Sequence, residues 1–323
     1  MTTDMSRVSA ARLHTRSQLA PVRGASRRRD ARAFWAFVGP MALGVVVFVL
    51  VPIVWGLWLS LSAAQATITP TGFVGLANYS TILQNKSFRG SLIMIATFAL
   101  LIVPLTIGFS LLLALLIDAV PRGKGFFRTV IFIPTACSYV VASAIWKISL
   151  FNGLPSGFAN TVFRWFGLDP VVWVGGKAPA AVWVVLVTVR LWLQSGFYMI
   201  LFTAGLQEIP QELYEASRVD GVRNRLQELR YITLPLLRNT TVAIMMLCLI
   251  GAFQAFDEFY NILLLGGQSA VADSLPPLVY LYQVAFGSQN YGLGSAGAFI
   301  LTAIIIVFTL LQGKLFGVSR EER

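Results

Sequence analysis

Across 323 residues the chain is 56% hydrophobic and only 12% charged, with a positive mean hydropathy, which leaves too little polar surface to cover a soluble globule of this size. The net charge of +11 would suit a nucleic-acid surface, but the cations sit in a tail and in short segments between apolar runs, where membrane topology alone requires them. Nucleic acid is therefore not expected as a partner.

Residues 1–33 form a basic tail rich in Arg, Ser and Ala; with few apolar anchors it is expected to be disordered and to rest on anionic headgroups. Arg27-Arg28-Arg29 ahead of an apolar run, with Ala64-Gln65-Ala66 beyond it, imitates a cleavable signal. The run is about twice the usual 7 to 15 residues, which favours a retained first span. Six runs reach the ~20 apolar residues that one helix needs to cross roughly 30 Å of hydrocarbon: Phe34 to Leu61, Leu92 to Ile117, Thr129 to Leu150, Ala180 to Leu206, Thr241 to Leu263 and Gly294 to Phe316. Unsatisfied backbone groups are too costly in lipid for an open alternative. The expectation is an all-α polytopic bundle of six membrane helices over residues 34–317, followed by a short tail, 318–323.

An even number of spans puts both termini on one side. The proposed inner segments hold 19 Lys and Arg, including Arg27, Arg28, Arg29, Arg122, Lys124, Arg128, Arg218 and Arg230, against four on the outer side, Lys86, Arg89, Arg164 and Lys177. The positive-inside rule then makes both termini cytoplasmic.

Several chemistries fall away. Gly123-Lys124 is followed by Gly125 and Gly313-Lys314 by Leu315, so no Gly-x-x-x-x-Gly-Lys-Ser/Thr phosphate cradle exists to hydrolyse ATP. The one histidine, His14, lies in the basic tail, which removes His-based metal sites, Ser/His/Asp triads and most proton relays. No catalytic pair of another kind stands out, and neither a metal nor a cofactor is expected in this chain. Cys137 and Cys248 fall in expected spans, where a buried thiol behaves as a small apolar group, so no structural disulfide is expected.

The polar stretch 207–235 interrupts the apolar pattern. Pro210 suits the start of a short helix, Leu213, Ala216 and Val219 recur at helical spacing, and Gly221 permits a positive φ where the chain must reverse. A second helix, Arg223 to Ile232, is expected to end before Pro235. A short helix at the bilayer edge can fit a groove on a cytoplasmic partner and carry force rigidly.

Glu215-Ala216-Ser217, with Asp220-Gly221 and, further on, Leu234-Pro235, resembles the EAA loop of the membrane-spanning subunits of ABC importers. Phe73-Val-Gly75-Leu76-Ala-Asn78-Tyr79, Phe127-Arg128-Thr129, Phe132-Ile-Pro134, Trp146-Lys147, the run Gly196 to Ala216, and Phe256-Asp257 with Gly266-Gly267 are similar to the carbohydrate-type permeases of that class. The resemblance covers about Phe34 to Phe316. It departs at Ser217, where the family has Ala, and at Leu265-Gly266-Gly267-Gln268, where the family has Thr-Gly-Gly-Gly-Pro.

The resemblance implies a type I importer permease fold in the cytoplasmic membrane of a bacterium. It implies a second homologous permease, two ATPase subunits that bind the ATP and Mg, and an extracytoplasmic solute-binding protein. It places Glu215, Ala216, Ser217, Asp220 and Gly221 at the ATPase contact.

Charged groups facing lipid cost at least ~2.5 to 3.5 kcal/mol on insertion scales, so Arg190 in the fourth span is expected to approach Asp257 or Glu258 in the fifth across a polar cavity, where it either closes a gate or contacts sugar hydroxyls. The bland reading is a buried pair that only holds two helices together, or side chains that snorkel outward; Lys147 is read as snorkelling. Sugars need planar polar groups beside aromatic faces, and Trp192, Gln194, Phe197 and Gln254 supply those types. The resemblance to maltose-type permeases implies a substrate path along Arg190, Gln194, Phe197, Gln254 and Glu258, and the charge argument adds Asp257 to it. Two rival readings stay open: a cargo of glycerol 3-phosphate or a related polyol phosphate, and an ion-coupled secondary transporter, for which no inverted repeat is visible.

Overall fold

A computed structural model describes residues 24–175, 179–264 and 275–315. The bulk of the basic tail, the residues 265–268 and the C-terminal segment 318–323 lie outside the described residues. Among the described residues four helices are long and apolar enough to cross a membrane: Ala31–Ser60, Lys86–Ala119, Ala180–Gln207 and Tyr291–Leu315. Two bent pairs, Lys124–Ala136 with Tyr139–Leu150 and Arg225–Leu236 with Arg238–Phe253, complete six crossings if each pair is one. The six expected spans are all present as helical segments, but the third and fifth are not straight.

The chain divides at Gly56 into two units. In the first, helix Gly24–Val45 runs through a single wide turn at Val46–Leu50, and its apolar side chains, among them Phe37 and Phe48, stand exposed. That surface would be untenable in water and suits lipid or a partner.

In the second unit the fourth span is the most enclosed helix, with Val185, Leu186, Val189, Leu193, Met199 and Phe202 buried. Phe98 of the second span stands edge-on to Phe259 at 4.9 Å. Gly196 marks where another backbone comes close: a Cβ there would collide with the Ile131 carbonyl and lie 2.9 Å from Phe132 Cα.

The third span bends by 93°. Pro134 begins a tight turn, Ile133–Ala136, that ends the first helix, and Ser138 starts the next by accepting from Val140 N at 3.3 Å. Cys137 occupies the bend and is exposed, contrary to its expected burial; Cys248 is buried. Both thiols are free.

Two asparagines organise the loops of the second unit. Asn78 donates to the Ser60 and Ser62 carbonyls at 3.0 and 2.9 Å, and Tyr79 pairs with Ser60 Oγ at 2.8 Å. The Gly75-Leu76-Ala-Asn78-Tyr79 motif therefore ties the end of the first span to a short antiparallel hairpin, Ser62–Ala63 with Gly72–Phe73. Asn160, 1% exposed, satisfies Leu154, Val171 and the Trp173 indole at once.

Candidate functional site

The polar loop is built as a rigid element. Pro210, extended at φ −60° and ψ 135°, precedes helix Gln211–Val219, with Glu212 in its first turn and Arg218 in its last, each favourable with the helix dipole. At its end Gly221 N bonds Arg218 O and Val222 N bonds Ser217 O, the paired closure of a Schellman motif. Gly221 sits at φ +98°, as its sequence position predicts. Ser217 Oγ turns back to Tyr214 O at 2.8 Å, so the extra hydroxyl is absorbed within the helix.

The helix does not hang free. Tyr214 Oη meets Thr233 Oγ1 at 3.1 Å and Arg218 Nε meets Glu228 at 2.9 Å, which join it to helix Arg225–Leu236. That second helix starts later than expected, capped by Asn224 accepting from Gln227 N, and runs through Pro235 instead of stopping before it. A wide turn at Leu229–Thr233 precedes the proline, which occupies the first turn of the segment Leu234–Leu236, where a missing N–H costs little. Behind the two helices lies a cavity of about 700 Å³, lined in part by Asp118, Gln207, Arg218 and Arg225. Glu215, Ala216, Asp220 and Gly221 are exposed, and so are Val219 at 88% and Leu226 at 72%.

The fifth span breaks. Helix Arg238–Phe253 ends, Phe256 takes φ −134° and ψ −60°, and helix resumes at Asp257 to run as far as Leu264. Arg190 pairs with Glu258, not Asp257, at 2.5 Å, and both are buried. Arg190 also donates to the Gly251 carbonyl at 2.5 Å and lies 5.2 Å from the centre of the Tyr139 ring. Asp257 is exposed and forms no ion pair among the described residues. Gln254 and Phe197 are exposed and Gln194 is half-buried.

Thus the structure brings Arg190, Gln194 and Glu258 together around Gly251, with Arg190 and Glu258 sealed from solvent instead of facing an open cavity. Lys147 does not snorkel: its ammonium donates to the Asn261 and Ile262 carbonyls at 3.2 and 2.8 Å. Sequence reading missed that contact and also a chain of rings. Phe256, Tyr260, Tyr282 and Phe286 follow one another with centroids 5.1 to 5.6 Å apart. Only the aromatic spacing in Phe256-x-x-x-Tyr260 and Tyr282-x-x-x-Phe286 hints at them.

Residues 107–316 match the model for the binding-protein-dependent transport system inner membrane component. The chain belongs to that family. Over 293 residues, 91% of this chain and 96% of its relative, this permease is 30% identical to the trehalose/maltose transport system permease protein of Thermococcus litoralis. It is 31% identical over 291 residues to the arabinooligosaccharides transport system permease of Bacillus subtilis, covering 89% of this chain and 90% of that one. It is 34% identical over 281 residues to the sn-glycerol-3-phosphate transport system permease of Agrobacterium fabrum, covering 86% and 92%. Its fold matches a chain of a bacterial ABC transporter that imports the acidic polysaccharide alginate, with TM-score 0.78, 21% identity, and 92% and 99% of the two chains covered. A second structure with the same TM-score holds that transporter with an alginate pentasaccharide-bound periplasmic protein. The permease is therefore a multi-pass membrane protein with the helical fold of the ABC importer permeases.

Proposed function

We propose that this permease is one transmembrane half of an ATP-driven, binding-protein-dependent importer of neutral sugars in a bacterial cytoplasmic membrane, with both termini cytoplasmic. Its partners are a second permease, two ATPase subunits that bind the ATP and Mg, and an extracytoplasmic solute-binding protein. The chain itself performs no covalent chemistry and needs no cofactor. Glu215, Ala216, Ser217, Asp220 and Gly221 form the face that docks on the ATPase, beside the exposed Val219 and Leu226. The membrane domain spans 34–317 between the cytoplasmic tails.

The single observation that carries the coupling role is the rigid, Gly221-terminated helix tied through Tyr214 and Arg218 to the segment that leads into the fifth span. A helix pushed at its outer face passes the displacement on through those ties. Along the fourth and fifth spans we assign the cargo path to Gln194, Phe197, Gln254 and Asp257, with Arg190 and Glu258 directly behind them. An exposed carboxylate on an apolar span, without an ion pair among the described residues, is consistent with a wet face.

The glycerol-3-phosphate relative favours a second reading, a phosphorylated cargo. Arg190 would be the natural phosphate ligand, but Glu258 already holds it, and the exposed charge nearby is Asp257. Electrostatics on this face oppose an anion, so neutral sugar is the stronger reading.

The test is reconstitution with the neighbouring-gene permease, ATPase and binding protein, and a carbohydrate ligand screen of the binding protein. Uptake that stops when the ATPase is disabled and survives a collapsed proton gradient supports the proposal. Uptake driven by the gradient alone, or a binding protein that takes only phosphorylated polyols, refutes it.

A further inference from the structure

The break in the fifth span is held by one side chain. A helix ends with carbonyls that have no partner in the helix, and leaving them bare within a membrane is costly. At this end Gln254 N bonds Ile250 O and Ala255 N bonds Ala252 O, while the Gly251 carbonyl is taken by Arg190 Nη2. The other arm of the same guanidinium, Nη1, holds Glu258 beyond the break, each bond 2.5 Å long. Arg190 therefore grips both sides of the gap at Gln254–Phe256.

Gly251 permits the grip, since a Cβ there would lie 3.3 Å from Arg190 Nη2. Lys147 does the same at the far end of the second piece, where the Asn261 and Ile262 carbonyls accept its ammonium. Trp146, next to it, is fixed against the fourth span through Thr188 at 3.1 Å and Trp192 at 4.9 Å. Two cations, one from the third span and one from the fourth, thus anchor a helix that has no continuous backbone ladder of its own.

We infer that Arg190 and Lys147 are positioning residues that set the angle and stiffness of a hinge at Gln254–Phe256, so that motion of the loop helix reaches Phe256 and Asp257 as a defined tilt and not as slack. The inference rests on the importer reading for the motion it serves. Arg190 needs its planar fork, because a lysine is a point charge that cannot hold two partners in fixed directions. Lys147 needs only a donor cluster within reach of two carbonyls.

Hydrogen exchange on the full complex in lipid nanodiscs tests this without any cargo, so failure to identify the sugar leaves the result readable. In Arg190→Met the amides of 251–264 exchange about ten- to a hundredfold faster, the loss expected for a charged hydrogen bond, with the second and sixth spans unchanged. In Lys147→Met the change is confined to residues after Tyr260, and Lys147→Arg restores protection. Arg190→Lys restores it on at most one side of the break. In the wild type, ATP with vanadate alters exchange at 257–264, and Arg190→Met abolishes that response. Should Arg190→Met fail to assemble, Glu258→Gln, which keeps the shape and removes the charge, gives faster exchange at 257–264. Wild-type exchange in both Met variants, acceleration spread evenly over all spans, or no response of the wild type to ATP and vanadate overturns the inference.

Discussion

Gly221→Ala isolates the backbone at the end of the loop helix Gln211–Val219. Nothing lies within 4 Å of a Cβ built at Gly221, so sterics with neighbours cost nothing, and the whole penalty is its φ of +98°. An L residue held in left-handed backbone costs about 1–2 kcal/mol, which converts to a roughly 5- to 30-fold loss of the population in which the Schellman closure is formed. The closure bonds, Gly221 to Arg218 and Val222 to Ser217, fix the last turn that carries Glu215 to Asp220. If that turn must be formed when the ATPase docks, ATP-driven uptake by Gly221→Ala in reconstituted vesicles falls by a comparable factor at unchanged protein level. Gly221→Asn, which tolerates left-handed backbone better, recovers most of it. Equal uptake by the wild type and the Ala variant would refute the reasoning, since it would mean that helix closure plays no part in docking.

Three further outcomes are expected. Asp257→Asn lowers sugar uptake about tenfold or more, the effect of a lost charged hydrogen bond, while the complex assembles normally; uptake assays with the sugar found by the binding-protein screen check this. Gly196→Ala places a methyl against the Ile131 and Phe132 backbone, where neither atom belongs to a flexible side chain, and costs about 1–3 kcal/mol as overpacking, read as a lower melting temperature of the purified complex. Asn160→Ala leaves the Val171 carbonyl and amide and the Trp173 indole without the side chain that holds them, for roughly 3 kcal/mol, and thermal unfolding monitored by tryptophan fluorescence detects it.

The spans were legible because a run of apolar residues of membrane length has few alternatives, and the loop helix because Pro210 and Gly221 punctuate it at both ends. The bends were not. Pro134 reads as a tolerable interior proline until the tight turn at Ile133–Ala136 and the Ser138 cap are seen together. At Pro235 the opposite happened: a residue read as a stop is accommodated by the wide turn before it. The break at Gln254–Phe256 contains neither proline nor glycine, and what sustains it is a guanidinium that lies distant in sequence, so no local pattern announces it. Lys147 is the same case. Its partners are carbonyls 114 and 115 residues further on, and a cation at a span end looks identical whether it reaches water or a neighbouring backbone.

The proposed coupling and cargo roles meet along the fifth span. In the proposed mechanism Arg225–Leu236 takes the loop helix's displacement through Tyr214 and Arg218, and passes it across a 70° bend to Arg238–Phe253. A straight rod from there would swing Asp257 and Phe256 through the full lever arm, while an unsupported break would let them lag. The bridge from Arg190 to both Gly251 and Glu258 selects a third behaviour, a rod with a fixed elbow whose far piece is also tethered to Lys147. Because Glu258 and Gly251 hold Arg190, it offers no free positive charge to the proposed cargo face, where Asp257 is the exposed charge. On the proposed reading, mechanical linkage and discrimination against anions both trace to one buried pair.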